Sequence, residues 1–497
     1  MTTRSSLAQL LADPSSSAPA IVSTSPLVVV TYSALAEQIE RLSGQLSNAG
    51  LKQGDCVAMV LPNGLEFLII FLALTRARLI AALLNPACKP DEIRFYLEDS
   101  RAHAIVAEGA NVAVRETTAG LGLPIWQPRV DSRGVVELPD LPTAPRTSVD
   151  APSPDDVALF AYTSGTTGRP KCVPLTHANV LWSSCNIAAH YDLTSADCGL
   201  VVLPMFHGHG LIGATLSTLA SGGSVIVPPR FSASEFWKLF GEHRATWYSA
   251  VPTIHQVLFE RADSDGAQPH SVPRFIRSCS APLAPTVLTK LENRFGAPVL
   301  EAYGMTEAAH QVSSNPLPPL PHKPGTVGLS AEISIVDKNG RHLTANTPGE
   351  VVVSGPNVMR GYRNNPEANA AAFIDGWFRT GDIGAIDSDG YLALTGRIKD
   401  QINRGGEKIS PAEVEAVLLE HPAVAEAAVF GVPDPKYGEE VSAAVVLRGA
   451  ATAQELQTYC GTRLADFKVP KLIHMVSAIP RNTMGKVQRS GLTVLFS

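Results

Sequence analysis

A chain of 497 residues with 45% hydrophobic and 17% charged residues has an ordinary globular composition and length enough for more than one domain. Its formal net charge of -6 at pH 7 gives no basis for a nucleic-acid partner, so an anionic ligand would need local cations, with Arg169, Lys171, Arg397 and Lys486 as candidates. The longest apolar run, Phe67 to Leu74, falls well short of the ~20 residues of a membrane span and reads as a core helix. The N-terminus is a weak match to a secretory signal. Seven cysteines, at 56, 88, 172, 185, 198, 279 and 460, include no C-x-x-C pair. They read as reduced, mostly buried thiols of an intracellular, cytoplasmic protein, and nothing in their spacing groups them into a metal site.

In chain order, Leu35, Ile39, Leu42 and Leu46 recur at helical spacing, with Ser33 as N-cap and Gly50 as stop. Val57–Leu61 reads as a buried strand and is followed by the Phe67 helix. This alternation predicts an α/β architecture with largely buried sheets. Residues 131–156, rich in Pro, Asp and Ser, read as a surface connector into a strand at Val157–Ala161. That strand would hold the loop Tyr162–Lys171, YTSGTTGRPK. There Thr163, Ser164, Gly165, Thr166, Thr167 and Gly168 supply backbone and hydroxyl donors for an anion, and Arg169 and Lys171 offset polyphosphate charge. The spacing is not that of a Walker A loop. Farther on, Tyr391–Thr395 reads as a strand, Pro411–Glu420 as a helix, and Ala425–Phe430 and Val441–Leu447 as strands of a small α+β domain.

Six further motifs follow the glycine-rich loop in order. They are Pro204–Gly210 (PMFHGHG), Tyr303–Glu307 (YGMTE), Thr380–Asp382 (TGD), Gly396–Lys399 (GRIK), Gly405–Pro411 (GGEKISP) and Pro480–Lys486 (PRNTMGK). Together, from about Thr31 to Arg489, the chain resembles the acyl-adenylate-forming superfamily of acyl-CoA synthetases, luciferases and peptide-synthetase adenylation domains. The resemblance implies a large α/β domain of several subdomains over 1–396, holding the ATP and acid sites. It also implies a small mobile C-terminal α+β domain over 397–497 with a hinge at Lys399. ATP and coenzyme A would be co-substrates with a small carboxylic acid, without a membrane span or an obligate protein partner.

Residue by residue, the resemblance makes Thr163–Gly168 with Lys171 the phosphate loop and lets Thr306 donate to the α-phosphate. Glu307 would hold Mg²⁺ through a hard oxygen. Asp382 would accept from the ribose hydroxyls, with Arg397 as a second contact and Tyr303 near the adenine. Lys486 would bridge the acid carboxylate and the α-phosphate, a task suited to a mobile point charge. Gly405, Gly406 and Lys408 would line the path for CoA after the C-terminal domain rotates. One departure is Asn403, where some relatives place a lysine four positions after the hinge. No Ser-Lys-Leu ending stands at Leu495–Ser497.

The acid pocket implied by the resemblance contains His207, His209, Arg277, Ser280 and His310, around a strand expected near 277–283. This reads as a polar, cationic set suited to a second substrate carboxylate. The alternative for Arg277 is an ion pair with a local carboxylate. Further stretches, among them Ala245–Tyr248, Val251–Gln256, Arg274–Ser280, Ser313–Pro318, Pro321–Gly325 and Ile402–Pro411, resemble the plant and fungal oxalate–CoA ligase branch, Asn403 included. That branch implies oxalate activation and oxalate breakdown. The alternatives are a ligase for another short or aromatic acid, an adenylation enzyme serving a carrier protein, and a nucleotide-binding protein without catalysis.

Overall fold

The computed structural model describes residues 4–141, 149–163, 170–264, 272–330, 332–481 and 487–496. Two sheets with helices between and around them form the larger part. The first has six strands in the order Lys171–Thr176, Val157–Thr163, Ile80–Leu83, Cys56–Val60, Ala102–Ala107 and Ile125–Trp126. All are parallel except the edge strand Lys171–Thr176, which returns antiparallel to Val157–Thr163. Cys56–Val60 is buried along its whole length, as a strand covered on both faces must be.

The second sheet has eight strands. Its centre runs parallel through Ser224–Val227, Cys198–Leu200, Trp247–Ala250, Phe275–Ser278 and Val299–Met305, and the last of these pairs antiparallel with His310–Ser314. The Leu65–Arg76 helix is buried at every residue from Phe67 to Thr75. A helix with no polar face belongs inside a protein, and this one joins a core shared by residues of both sheets.

An antiparallel sheet built on Gly349–Val353, Trp377–Ile386 and Leu392–Arg397 follows. From Ile402 onward the chain forms its own sheet, with Gly438–Leu447 between Val424–Asp434 and Ile402–Arg404, and its own core around Ile402, Val414, Leu418, Val429 and Val441. A short one-turn 3₁₀ segment, Ile398–Asp400, connects the two parts. The small part touches the large one where helix Pro411–Glu420 lies near strand Leu392–Arg397, and Ser410 donates to the Thr395 carbonyl.

Three expectations shift. The first helix spans Tyr32–Ser47 and its N-cap is Thr31, whose hydroxyl accepts from Ala34 N–H at 3.2 Å, rather than Ser33. Thr31 ends a strand in extended backbone, which is the geometry an N-cap requires. The connector 131–156 begins inside a small ribbon, Arg129–Val130 paired with Val136–Glu137. The strand expected at 277–283 spans Phe275–Ser278, because the backbone turns left-handed at Ser280, with φ 73°.

Candidate active site

Strands Trp377–Ile386 and Leu392–Arg397 pair with Asp382 opposite Arg397. This register puts Arg397 Nε 2.8 Å from Asp382 Oδ1, and the Tyr303 hydroxyl donates to the other oxygen of the same carboxylate. Asp382 is buried, so this carboxylate is held in one orientation by a guanidinium and a phenol. Burial, reinforced by the Asp382 charge, keeps the Tyr303 phenol far above its usual titration range, and it remains a donor. Tyr303, Asp382 and Arg397, read separately along the sequence, thus form one cluster.

After Tyr303 the strand ends at Met305, and Thr306–Ala308 makes one 3₁₀ turn. Ala309 and His310 then both take left-handed backbone, φ 46° and 86°, before the return strand. Consecutive non-glycine residues there carry strain of the kind kept where a side chain must be aimed. The turn presents Glu307, whose Oε1 accepts from the Tyr362 hydroxyl at 2.8 Å, and whose carbonyl accepts from Met359 N–H at 2.8 Å. Lys171 Nζ lies 4.7 Å from the centre of the Tyr362 ring, a cation–π contact. Tyr362 therefore ties the candidate phosphate-loop lysine to the candidate metal ligand. Sequence reading missed it; its only local signal is an aromatic residue between Arg360 and Arg363.

The candidate acid site is built on two neighbouring parallel strands with Ser249 opposite Arg277. Arg277 is wholly buried and donates to Tyr191 Oη at 2.9 Å and to Ser249 Oγ, His310 Nε2 and Gln311 Oε1 at 3.0 Å each. All four acceptors are neutral, and among the described residues no carboxylate forms an ion pair with it. The local ion-pair alternative is thereby set aside.

The His310 tautomer follows from that charge. Arg277 donates to His310 Nε2, so the neutral imidazole carries its proton on Nδ1. Ser249 Oγ accepts from Arg277 and is hydrogen-bonded to His209 Nε2 at 2.6 Å, and His209 Nδ1 is hydrogen-bonded to Ser280 Oγ at 2.9 Å. The contacts thus run from buried Arg277 through Ser249 and His209 to exposed Ser280.

Burial, aided by the Arg277 charge, holds both His209 and His310 well below the usual imidazole range. Within the set expected to be cationic, His209 and His310 are thus neutral imidazoles beside the Arg277 cation. Arg277 forms the floor of the set rather than an exposed contact. His209 and His310 stack on each other, 4.9 Å between ring centres, and His207 is half-buried.

His209 and its neighbours come from a π-helical turn, His209–Leu216. Such wide turns are rare and concentrate at functional sites. The loop before it is pinned by Asn63, another residue that sequence reading passed over. Its amide donates to Leu203 O at 2.9 Å and accepts from Met205 N–H at 2.7 Å. His209, Cys279 and His310 bring ligand atoms within 4.8 Å of one another. The adjacent guanidinium opposes a metal cation there and favours an anion.

Thr163 and Lys171 face each other at the mouth of the glycine-rich loop. Ser164, Gly165, Thr166, Thr167, Gly168 and Arg169, and also Lys486, lie outside the described residues. Lys399 sits in the short turn between the two parts. Gly405, Gly406 and Lys408 occupy the exposed end of the hairpin Ile402–Arg404 and Glu407–Ile409. Among the described residues no helix is long and apolar enough to cross a membrane.

Two large sheets, a Tyr303–Asp382–Arg397 cluster and a small C-terminal α+β part define the adenylate-forming enzyme fold. The chain superposes on ATP-bound MatB from Rhodopseudomonas palustris with a TM-score of 0.89 and 32% identity, covering 99% of this chain and 98% of that one. Its sequence matches AMP-binding enzyme over residues 12–363 and AMP-binding enzyme C-terminal domain over 413–486, and the chain belongs to this family. It is similar to an oxalate–CoA ligase of Arabidopsis thaliana, 48% identical over 473 residues, 93% of this chain and 92% of the relative. It is also similar to an oxalate–CoA ligase of Saccharomyces cerevisiae, 41% identical over 508 residues, 94% of this chain and 93% of the relative.

Proposed function

We propose that this protein is an AMP-forming ligase that activates oxalate with ATP and transfers it to coenzyme A, giving oxalyl-CoA, AMP and pyrophosphate, in the service of oxalate breakdown. In the first step an oxalate oxygen attacks the α-phosphorus and the bond to the β-phosphate oxygen breaks, releasing pyrophosphate. In the second, the CoA thiolate attacks the acyl carbon of the adenylate and AMP leaves. Negative charge accumulates at phosphorus in the first step, so oriented cations and donors do most of the catalysis.

The assigned roles follow the site. Thr163–Gly168 and Lys171 hold the β- and γ-phosphates, Thr306 the α-phosphate, and Asp382 with Arg397 the ribose, with Tyr303 beside the adenine. Glu307 fits a magnesium ion: it offers a hard carboxylate oriented by the Tyr362 hydroxyl on one oxygen, with no hydrogen bond to the other among the described residues. A bound magnesium ion would neutralise phosphate charge. Lys486 bridges the attacking carboxylate and the α-phosphate. Residues 1–396 carry most of the ATP and acid sites, and 397–497, with Arg397 and the catalytic Lys486, rotate about Lys399 to bring Gly405, Gly406 and Lys408 to the CoA path.

The choice of oxalate rests on one observation above all: a wholly buried guanidinium without a carboxylate partner among the described residues. A buried charge is costly unless paired, and a second substrate carboxylate above His310 and Ser280 would supply the missing anion. His207 and His209 complete the wall on that side.

A coupled assay of ATP- and CoA-dependent turnover across oxalate, malonate, acetate and 4-coumarate tests the reading. Oxalate should have the highest kcat/KM, and Arg277→Met, which keeps side-chain volume, should erase that ranking. A wild-type enzyme that prefers a monocarboxylic acid, or an Arg277→Met variant that keeps its oxalate selectivity, would overturn it.

A further inference from the structure

The His310 imidazole lies in a cradle of glycines. An added Cβ at Gly213 would sit 2.4 Å from His310 Nε2 and 2.5 Å from its Cδ2. At Gly304 it would fall 2.2 Å from the His310 carbonyl oxygen and 3.2 Å from Nδ1, and at Gly208 it would be 3.5 Å from the His310 Cβ. The Gly213 contact stands apart, because it is with the functional end of the ring. Gly213 lies on the π-helical turn that also carries His209, the ring on which His310 stacks.

We propose that Gly213 is a specificity-determining position of the acid site, acting through His310. The space left by its missing side chain is where the imidazole must lie to accept from Arg277 and turn Nδ1–H toward the substrate. This rests on the acid-site reading above.

His310 has little freedom to yield. Its backbone is left-handed at φ 86°, its Nε2 is held by Arg277 at 3.0 Å, and His209 covers one face. Any side chain at 213 would therefore turn the ring out of its seat and separate it from the guanidinium. For oxalate, whose two carboxylates are directly bonded, the second carboxylate has no spare reach to follow a displaced donor. A misplacement of about 1 Å can cost roughly 10²-fold in rate.

The test is a double-mutant cycle of Gly213→Ala and His310→Ala in the full chain. KM for ATP, KM for the acid and kcat are read for every variant. Gly213→Ala should lower kcat/KM for oxalate roughly 10²-fold, chiefly through KM for the acid, and leave KM for ATP within about twofold. In the double variant the clash is absent, so Gly213→Ala should add less than about twofold to the loss caused by His310→Ala alone.

If Gly213→Ala does not fold, a soluble double variant that matches His310→Ala supports the proposal, and one that is also insoluble overturns it. Losses that multiply in the double variant, or a Gly213→Ala enzyme with unchanged KM for the acid, overturn it as well. Should wild type turn over another acid best, the oxalate reading fails, and the same cycle is scored on that acid, so the two conclusions fail separately.

Discussion

Glu301 offers a quantitative test of how the sheet beneath the site is built. It lies on strand Val299–Met305, two residues before Tyr303, and is 6% exposed. Burial pushes its carboxyl up from 4.5 to about 7, against the pull of hydrogen bonds from Gly325 N–H, at 2.9 Å, and from the Leu283 backbone. Below pH 4.5 both the folded and the unfolded chain hold the proton. Between pH 4.5 and 7 only the folded state holds it, so the stability tied to this group is lost as pH rises through that window. A separation of about 2.5 pKa units corresponds to about 3 kcal/mol once pH exceeds 7.

Glu301→Gln retains an acceptor for Gly325 and cannot ionise. With an unfolding entropy of about 2 cal/mol/K per residue over 497 residues, 3 kcal/mol is about 3 °C in Tm. Scanning calorimetry should find the variant about 3 °C above wild type at pH 8.5 and within about 1 °C of it at pH 5.0. A difference that does not change between these pH values, or one that favours wild type at pH 8.5, would refute the reasoning.

Two further predictions concern the reaction. Lys486→Ala should abolish pyrophosphate release from ATP and acid, yet convert supplied acyl-adenylate to thioester at near wild-type rate; equal loss in both assays would remove it from the adenylation step. Tyr362→Phe removes one hydrogen bond to a carboxylate, a contact worth about 1.5–3 kcal/mol, and should raise the magnesium concentration for half-maximal activity tenfold or more while KM for the acid stays constant. An unchanged magnesium requirement would mean that Tyr362 does not position Glu307.

Much of this protein is legible locally. Helix Pro411–Glu420 matches its expected bounds, because a proline at its first position and an apolar periodicity specify it without outside help. The resemblance carried by the ordered motifs named Tyr303, Glu307, Asp382 and Arg397 as candidates, and the fold brings Tyr303, Asp382 and Arg397 into contact. Tertiary structure decided what no window of sequence contains. Tyr362 meets Glu307 across 55 residues, Arg277 meets His310 across 33, and His209 meets Ser249 across 40. Imidazole charge is also set by burial, so His209 and His310, which read as part of a cationic cluster, are neutral beside one guanidinium. Gly213 carries no chemical group at all. Its meaning comes entirely from the ring that folding lays against it.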